Sequence, residues 1–198
     1  MTEKTMVECA VLSYSGYGHT RRLADAVQRG CDDVDGVMCR NVVISSDGEL
    51  SAAEWELLDR SAAIVFGSPT YMGGPAWQFK KVAEASSRLW YEQRWKDKLA
   101  AGFTNSASMN GDKQVTLQYF FTFAMQHSMI WAGTALMPAS TSQARRNDVN
   151  FLGSFSGLMS QSPSDASIQE APPAGDLESG VLFGRRIGAC ALQWHRGR

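Results

Sequence analysis

Strand-like and helix-like stretches take turns along this chain about five times, and that rhythm constrains the fold more than any single motif. The decisive stretch is Ala62-Ala63-Ile64-Val65-Phe66, apolar without a break. A strand of this kind is buried on both faces, as in a parallel sheet covered by helices. Val7 to Ser13 reads as the first strand, Thr20 to Gly30 as a helix, and Val37 to Ile44 as the second strand. Ser51-Ala52-Ala53-Glu54 is a capping box, flanked by Leu50 and Trp55 as a hydrophobic staple, so a helix should run from there to about Arg60. Pro75 suits the first position of the next helix. Leu99 to Phe103 reads as a fourth strand, Val115 to His127 as a helix, Ser128 to Gly133 as a fifth strand, and about Asp176 to Trp194 as the last helix. The expected fold is α/β: a three-layer, doubly wound, five-stranded parallel sheet of order 2-1-3-4-5.

A chain of 198 residues suits one domain, here 1–198, with a long irregular segment at 138–175 before the last helix. That segment is far longer than the ~4–6 residues of an ordinary connection. Its Phe151, Leu152, Phe155, Leu158 and Met159 argue for a functional role, because a disordered linker has no use for them. The net charge of -1 leaves no basic footprint for nucleic acid and no acidic face of the kind electron carriers use. No run approaches the ~18–20 apolar residues of a membrane helix, and no N-terminal stretch reads as an export signal, so the expected location is the cytoplasm. Cys9, Cys31, Cys39 and Cys190 form no CxxC pair, which signals neither a metal knuckle nor a redox dithiol. Cys9 and Cys190 read as core thiols.

In an open α/β sheet, ligands bind beyond the carboxyl ends of the strands where the strand order reverses. Three such ends carry small polar residues and would be neighbours in the order 2-1-3-4-5. The first is Ser15-Gly16-Tyr17-Gly18-His19-Thr20, an S-x-x-G-x-T turn opening a helix. Bare backbone there lets amides and hydroxyls close on a phosphate at the positive end of the helix. Walker A and the G-x-G-x-x-G fingerprint are both absent, which favours a monophosphate over a triphosphate or pyrophosphate. The second end holds Pro69, Thr70, Tyr71, Met72 and Gly73, with Tyr71 and Met72 as an apolar wall for a flat ring. The third runs through Asn105, Ser106, Ala107, Ser108, Met109, Asn110 and Gly111, which can meet the edge of such a ring.

Together with Gln126-His127-Ser128-Met129, these motifs resemble the flavodoxin-like NAD(P)H:quinone oxidoreductases, the Trp-repressor-binding-protein-like flavoproteins related to the NADPH-dependent FMN reductases. The resemblance covers roughly residues 7–135. It implies a flavodoxin-like fold, FMN as cofactor, NADH or NADPH as donor, and a homodimer or homotetramer. Position by position, it implies that Ser15 to Thr20 hold the FMN phosphate and that Thr70 to Met72 flank the ribityl chain and ring. Ser106 to Gly111 would line the ring edge. His127 would reach the flavin across a subunit interface and is the one catalytic candidate; Tyr17 would touch the nicotinamide nucleotide, and Trp90 would lie on the substrate side. The third loop departs from the family's Gly-rich run at Ala107, Met109 and Asn110, and the stretch 138–175 does not follow its pattern. No metal site is expected.

The resemblance implies an oxidoreductase that passes electrons from NAD(P)H through FMN to a quinone-like acceptor by a ping-pong mechanism. The rival expectation is a flavodoxin-type electron carrier without substrate turnover of its own.

Overall fold

Alternate residues of the first strand serve opposite cores, and this sets the layering. The computed structural model describes residues 6–197. In β1 (Val7–Ser13), Cys9 and Val11 face one cluster while Ala10 and Leu12 face the other, as the two-residue period of a strand requires. The first cluster lies under α1 (His19–Asp32) and α6 (Ala174–Arg196) and contains Leu23, Val27, Phe183 and Ile187. The second lies under α2 (Ala52–Arg60), α3 (Trp77–Ala85) and α5 (Lys113–Gln126). It is built on aromatic rings: Phe66, Phe79, Phe120 and Phe123 pack with centroids 4.7 to 6.2 Å apart, inside the range where edge and offset contacts are favourable. The result is three layers, helices over both faces of one sheet.

The sheet adds β2 (Val37–Val43), β3 (Ala63–Tyr71), β4 (Gly74–Pro75), β5 (Leu99–Ser106), β6 (Ile130–Trp131) and β7 (Leu158–Gln161), with α4 (Ser87–Tyr91) between β4 and β5. Its main path runs β2-β1-β3-β5-β6, all parallel. Leaving out the small β4, this is the expected order 2-1-3-4-5. The capping box is present in both directions: Glu54 N donates to Ser51 Oγ at 3.3 Å and Ser51 N to Glu54 Oε2 at 2.7 Å.

Three expectations need correction. The fifth strand is split. β6 pairs only with Leu99 and Ala100, and β7, from the long segment, takes the rest of the same edge beside Phe103–Ser106. Gly157 permits this re-entry, because a Cβ there would meet the Gly102 carbonyl oxygen at 2.6 Å. The stretch 138–175 is thus partly sheet. Pro75 does not start a helix: it pairs with Thr70 in a short antiparallel hairpin, and α3 begins at Trp77. The helix expected at Val115 to His127 begins at Lys113 and ends at Gln126.

Cys9, Cys31 and Cys39 are all buried and free. Mutual contact and burial push the Cys9 and Cys31 thiols up, so they stay protonated and inert. Among the described residues no helix is long and apolar enough to cross a membrane, and no cluster of His, Cys, Asp or Glu is arranged to hold a metal ion.

Candidate functional site

A cleft of about 630 Å³ opens beyond the carboxyl ends of β1, β3 and β5, a size usual for small-molecule sites. Tyr17, His19, Thr20, Pro69, Thr70, Tyr71, Asn105, Ser106 and Ala107 line it. The structure therefore brings together residues from all three loops picked out in the sequence. The opposite wall comes from the long segment 138–175. It consists of Ser162, Pro163, Ser164, Ala166, Ser167 and Ile168, from the segment that follows β7.

The first loop is shaped by its glycines. Gly18 has φ +92, which favours glycine, and bare backbone at Gly16 leaves room for the Tyr71 hydroxyl, 2.7 Å from where a Cβ would stand. Ser15 Oγ accepts from the amides of Gly18 and Arg21, each at 3.1 Å. It caps α1 from outside, and its own proton is left to donate. The Thr20 hydroxyl and the main-chain amides of His19 and Thr20 make no hydrogen bond within the described residues, and they stand at the positive end of α1.

The other two loops add donors. Asn105 accepts at Oδ1 from Ser160 Oγ at 2.8 Å and Ser162 Oγ at 3.0 Å, which leaves its NH₂ end for the cleft. Burial, with help from Tyr17 and Tyr14, raises the Tyr71 pKa, so Tyr71 remains a phenol and can donate. Tyr17 meets it edge-on with centroids 6.4 Å apart. Among the described residues no carboxylate lines the cleft. A donor-rich, acid-free cradle with two aromatic rings at its mouth fits a planar group that ends in a phosphate, and so fits FMN.

Thr70 has a different task from the expected one. Thr104 donates to the Ser68 carbonyl at 2.7 Å. A hydroxyl has one proton, so Thr70 must donate to Thr104 at 2.8 Å, and Thr116 to Thr70 at 2.7 Å. This directed chain ties α5 to β5 and β3, and the Thr70 hydroxyl is used up inside it. The Thr70 hydroxyl has no proton left to donate to a ligand.

Other expected residues lie elsewhere. Met72 and Gly73 have positive φ and project into solvent past the cleft rim. Ser108, Met109, Asn110 and Gly111 do not line the cleft. Their loop curls around Lys113, whose ammonium donates to the carbonyls of Ser108, Met109 (2.9 Å) and Asn110 (3.4 Å). Met109 and Asn110 face a second groove with Phe151 and Phe155. Gly111 has φ +55, a conformation that favours glycine, and a Cβ there would displace the Ser106 hydroxyl. Lys113 is fully buried. Its place next to a Ser/Asn/Gly loop is the signal that sequence reasoning passed over.

Within the protomer, His127 and Trp90 do not reach the cleft. They line a separate pocket of about 420 Å³ with Tyr119 and Phe123. The His127 ring is 2% exposed, its centroid 4.4 Å from that of Trp95 and 4.9 Å from that of Phe123, and its Nε2 lies 2.9 Å from Ser86 Oγ. A role at a flavin would need both a second subunit and exposure of this ring. The reason is local: His127 follows the last turn of α5, where the helix enters the aromatic core.

The chain is similar to known flavoproteins and oxidoreductases. The profile of the NADPH-dependent FMN reductase family matches residues 13–143. The chain is 47% identical over 190 residues, 96% of its length, to all of a protein named Flavodoxin FldP from Pseudomonas aeruginosa (strain UCBPP-PA14). It is 27% identical to an NAD(P)H dehydrogenase (quinone) from Acidithiobacillus ferrooxidans (strain ATCC 53993 / BNL-5-31), covering 92% of this chain and 96% of the relative. Among solved structures, a WrbA-like flavodoxin from Agrobacterium tumefaciens superposes with a TM-score of 0.72 at 40% identity, over 94% of this chain and 98% of the other. The chain belongs to the NADPH-dependent FMN reductase family: it is a flavin oxidoreductase of flavodoxin-like fold, with FMN as the cofactor that membership assigns.

Proposed function

We propose that the cleft holds FMN with its phosphate on the Ser15–Thr20 loop, and that the protein carries electrons from NAD(P)H to a quinone-like acceptor in a ping-pong cycle. The observation that carries this reading is the donor-rich cradle where three strand ends meet, with no carboxylate among the described residues that line it. When bound, FMN supplies hydride acceptance and electron release. The protein's part is binding and orientation. The Ser15 and Thr20 hydroxyls and the His19 and Thr20 amides receive the phosphate. Pro69 to Tyr71 flank the ribityl chain and ring, Asn105 to Ala107 meet the ring edge, and Tyr71 donates from its phenol. Tyr17 is 78% exposed at the mouth, a surface on which a nicotinamide or a flat acceptor can stack in turn. In solution, Val115, Phe121 and Met125, exposed on α5, give the chain an apolar face for self-association.

The test is anaerobic mixing of the FMN-loaded protein with NADH or NADPH, followed by a benzoquinone. The flavin absorbance should bleach with a nicotinamide and return with the quinone, and initial velocities should give parallel double-reciprocal lines. Failure of both nicotinamides to bleach the flavin removes the reading.

The name of the 47%-identical relative favours a second reading, a one-electron carrier. Two well-separated one-electron potentials together with no NAD(P)H oxidation would select it. The balanced net charge of -1 argues for the first.

A further inference from the structure

The segment after β7 does more than wall the cleft. Its start is tied to the third loop: Ser162 N donates to the Ser106 carbonyl at 2.9 Å, and Ser162 Oγ to Asn105. It then crosses to the phosphate loop. His19 Nε2 lies 3.1 Å from the Ala166 carbonyl. A carbonyl only accepts, so His19 donates from Nε2. Arg22, one turn into α1, donates from Nη1 to the carbonyls of Ile168 and Ala171, the latter at 2.9 Å. The Ile168 side chain rests on Gly18, its Cγ2 only 2.8 Å from where a Cβ would stand. Between these holds, Ser167 and Glu170 lock a turn, with Ser167 N and Oγ donating to Glu170 Oε2 at 2.9 and 2.8 Å.

We propose that residues 162–171 are a strap shutting the phosphate end of the cleft, latched by Arg22 and His19, and that FMN enters and leaves only when this latch opens. Both latch groups come from the first turns of α1, next to the residues that receive the phosphate. Cofactor retention is therefore coupled to two side chains whose polar atoms hold the strap rather than the ligand. The preformed turn at Ser167–Glu170 lets the strap move as a unit about its tethers. This inference rests on the assignment of the cleft to FMN.

The experiment measures FMN release by the rise in flavin fluorescence, with amide hydrogen exchange over 163–171 in parallel. Arg22→Ala removes the latch. Ile168→Gly removes the roof at a half-exposed position without touching either core. Arg29→Gln, exposed in the last turn of α1, controls for loss of a positive charge. Each of the first two variants should release FMN roughly tenfold faster, the effect of losing about one charge-assisted hydrogen bond or an equivalent contact. Strap amides should exchange faster in Arg22→Ala with or without FMN, and Arg29→Gln should match the unmodified protein. Normal uptake with unchanged release in both variants overturns the strap while leaving the cleft assignment intact. If the unmodified protein takes up no FMN at all, the cleft assignment falls, and the strap with it.

Discussion

Ser86 decides which nitrogen of His127 carries the proton. Ser86 Oγ spends its own proton on the Ala83 carbonyl at 2.7 Å, so at 2.9 Å from His127 Nε2 it acts as acceptor. His127 is therefore the Nε2–H tautomer. Its Nδ1 is a buried acceptor without a partner among the described residues, and burial pushes the pKa down to about 4.

A pH dependence follows. The unfolded chain binds a proton at His127 below about 6.5, where the folded chain does not until about pH 4. This contribution to stability is complete above about 6.5 and is lost as pH falls towards 4, in total on the order of 3 kcal/mol. His127→Phe keeps a ring between Trp95 and Phe123 but cannot titrate. Urea melts at pH 7 and 4.5 should show a smaller acid loss for the variant than for the unmodified protein. Equal losses would remove His127 from the account.

The hydroxyl chain from Thr116 through Thr70 to Thr104 makes a second prediction. Thr104→Val leaves the Thr70 hydroxyl without its acceptor in a buried site and should cost about 1–3 kcal/mol. Thr104→Ser, which restores the hydroxyl, should recover most of it. Chemical denaturation of the two variants measures the difference. A Val variant as stable as the Ser variant would mean that the chain's direction carries no energy.

The features legible in the sequence were those fixed by neighbours close along the chain. The Ser51–Glu54 box acts within a few residues, and the apolar run Ala63–Phe66 lies in the strand, buried on both faces, that its composition implies. What escaped depends on distant partners. β7 is a strand because the edge of β5 is free beyond Ala100, and nothing in Leu158–Gln161 itself says so. Pro75 follows a hairpin set by pairing with Thr70, not by helix propensity. Ser108 to Gly111 turn away from the cleft because a lysine lies beneath them. The strap lies in a segment whose apolar residues suggested function without showing where it docks.

One tertiary feature did leave a trace. Gly180, Gly184 and Gly188 fall at every fourth position of α6, which presents a bare stripe to α1. A Cβ on Gly184 would lie 1.9 Å from the Val27 carbonyl oxygen, and one on Gly30 the same distance from that of Val181. Backbone cannot give way as a flexible side chain can, so Gly184→Ala should force the two helices apart and cost about 3 kcal/mol or more. Gly74→Ala, where a Cβ meets nothing within 4 Å, should stay within about 0.5 kcal/mol of the unmodified protein. Thermal melts of the two variants side by side check both statements.

Lys113 links stability and cofactor binding with opposite signs. Burial brings its pKa down to about 8, with Arg146 adding to the effect and Asp176 opposing it. Between about pH 8 and 10.4 the unfolded chain holds a proton that the folded chain has released, so the lysine's contribution to stability rises with pH across that window. The loop responds the other way. An ammonium has three protons for the carbonyls of Ser108, Met109 and Asn110, and a neutral amine has two. FMN affinity should therefore fall as pH rises through about 8, and Lys113→Met should weaken binding roughly tenfold at pH 7. Flavin fluorescence titrations at pH 7 and 9.5, paired with urea melts at the same values, separate the two effects. The unmodified protein should gain stability relative to Lys113→Met at the higher pH while losing its advantage in FMN binding. If both quantities move together, Lys113 does not shape the ring-edge loop.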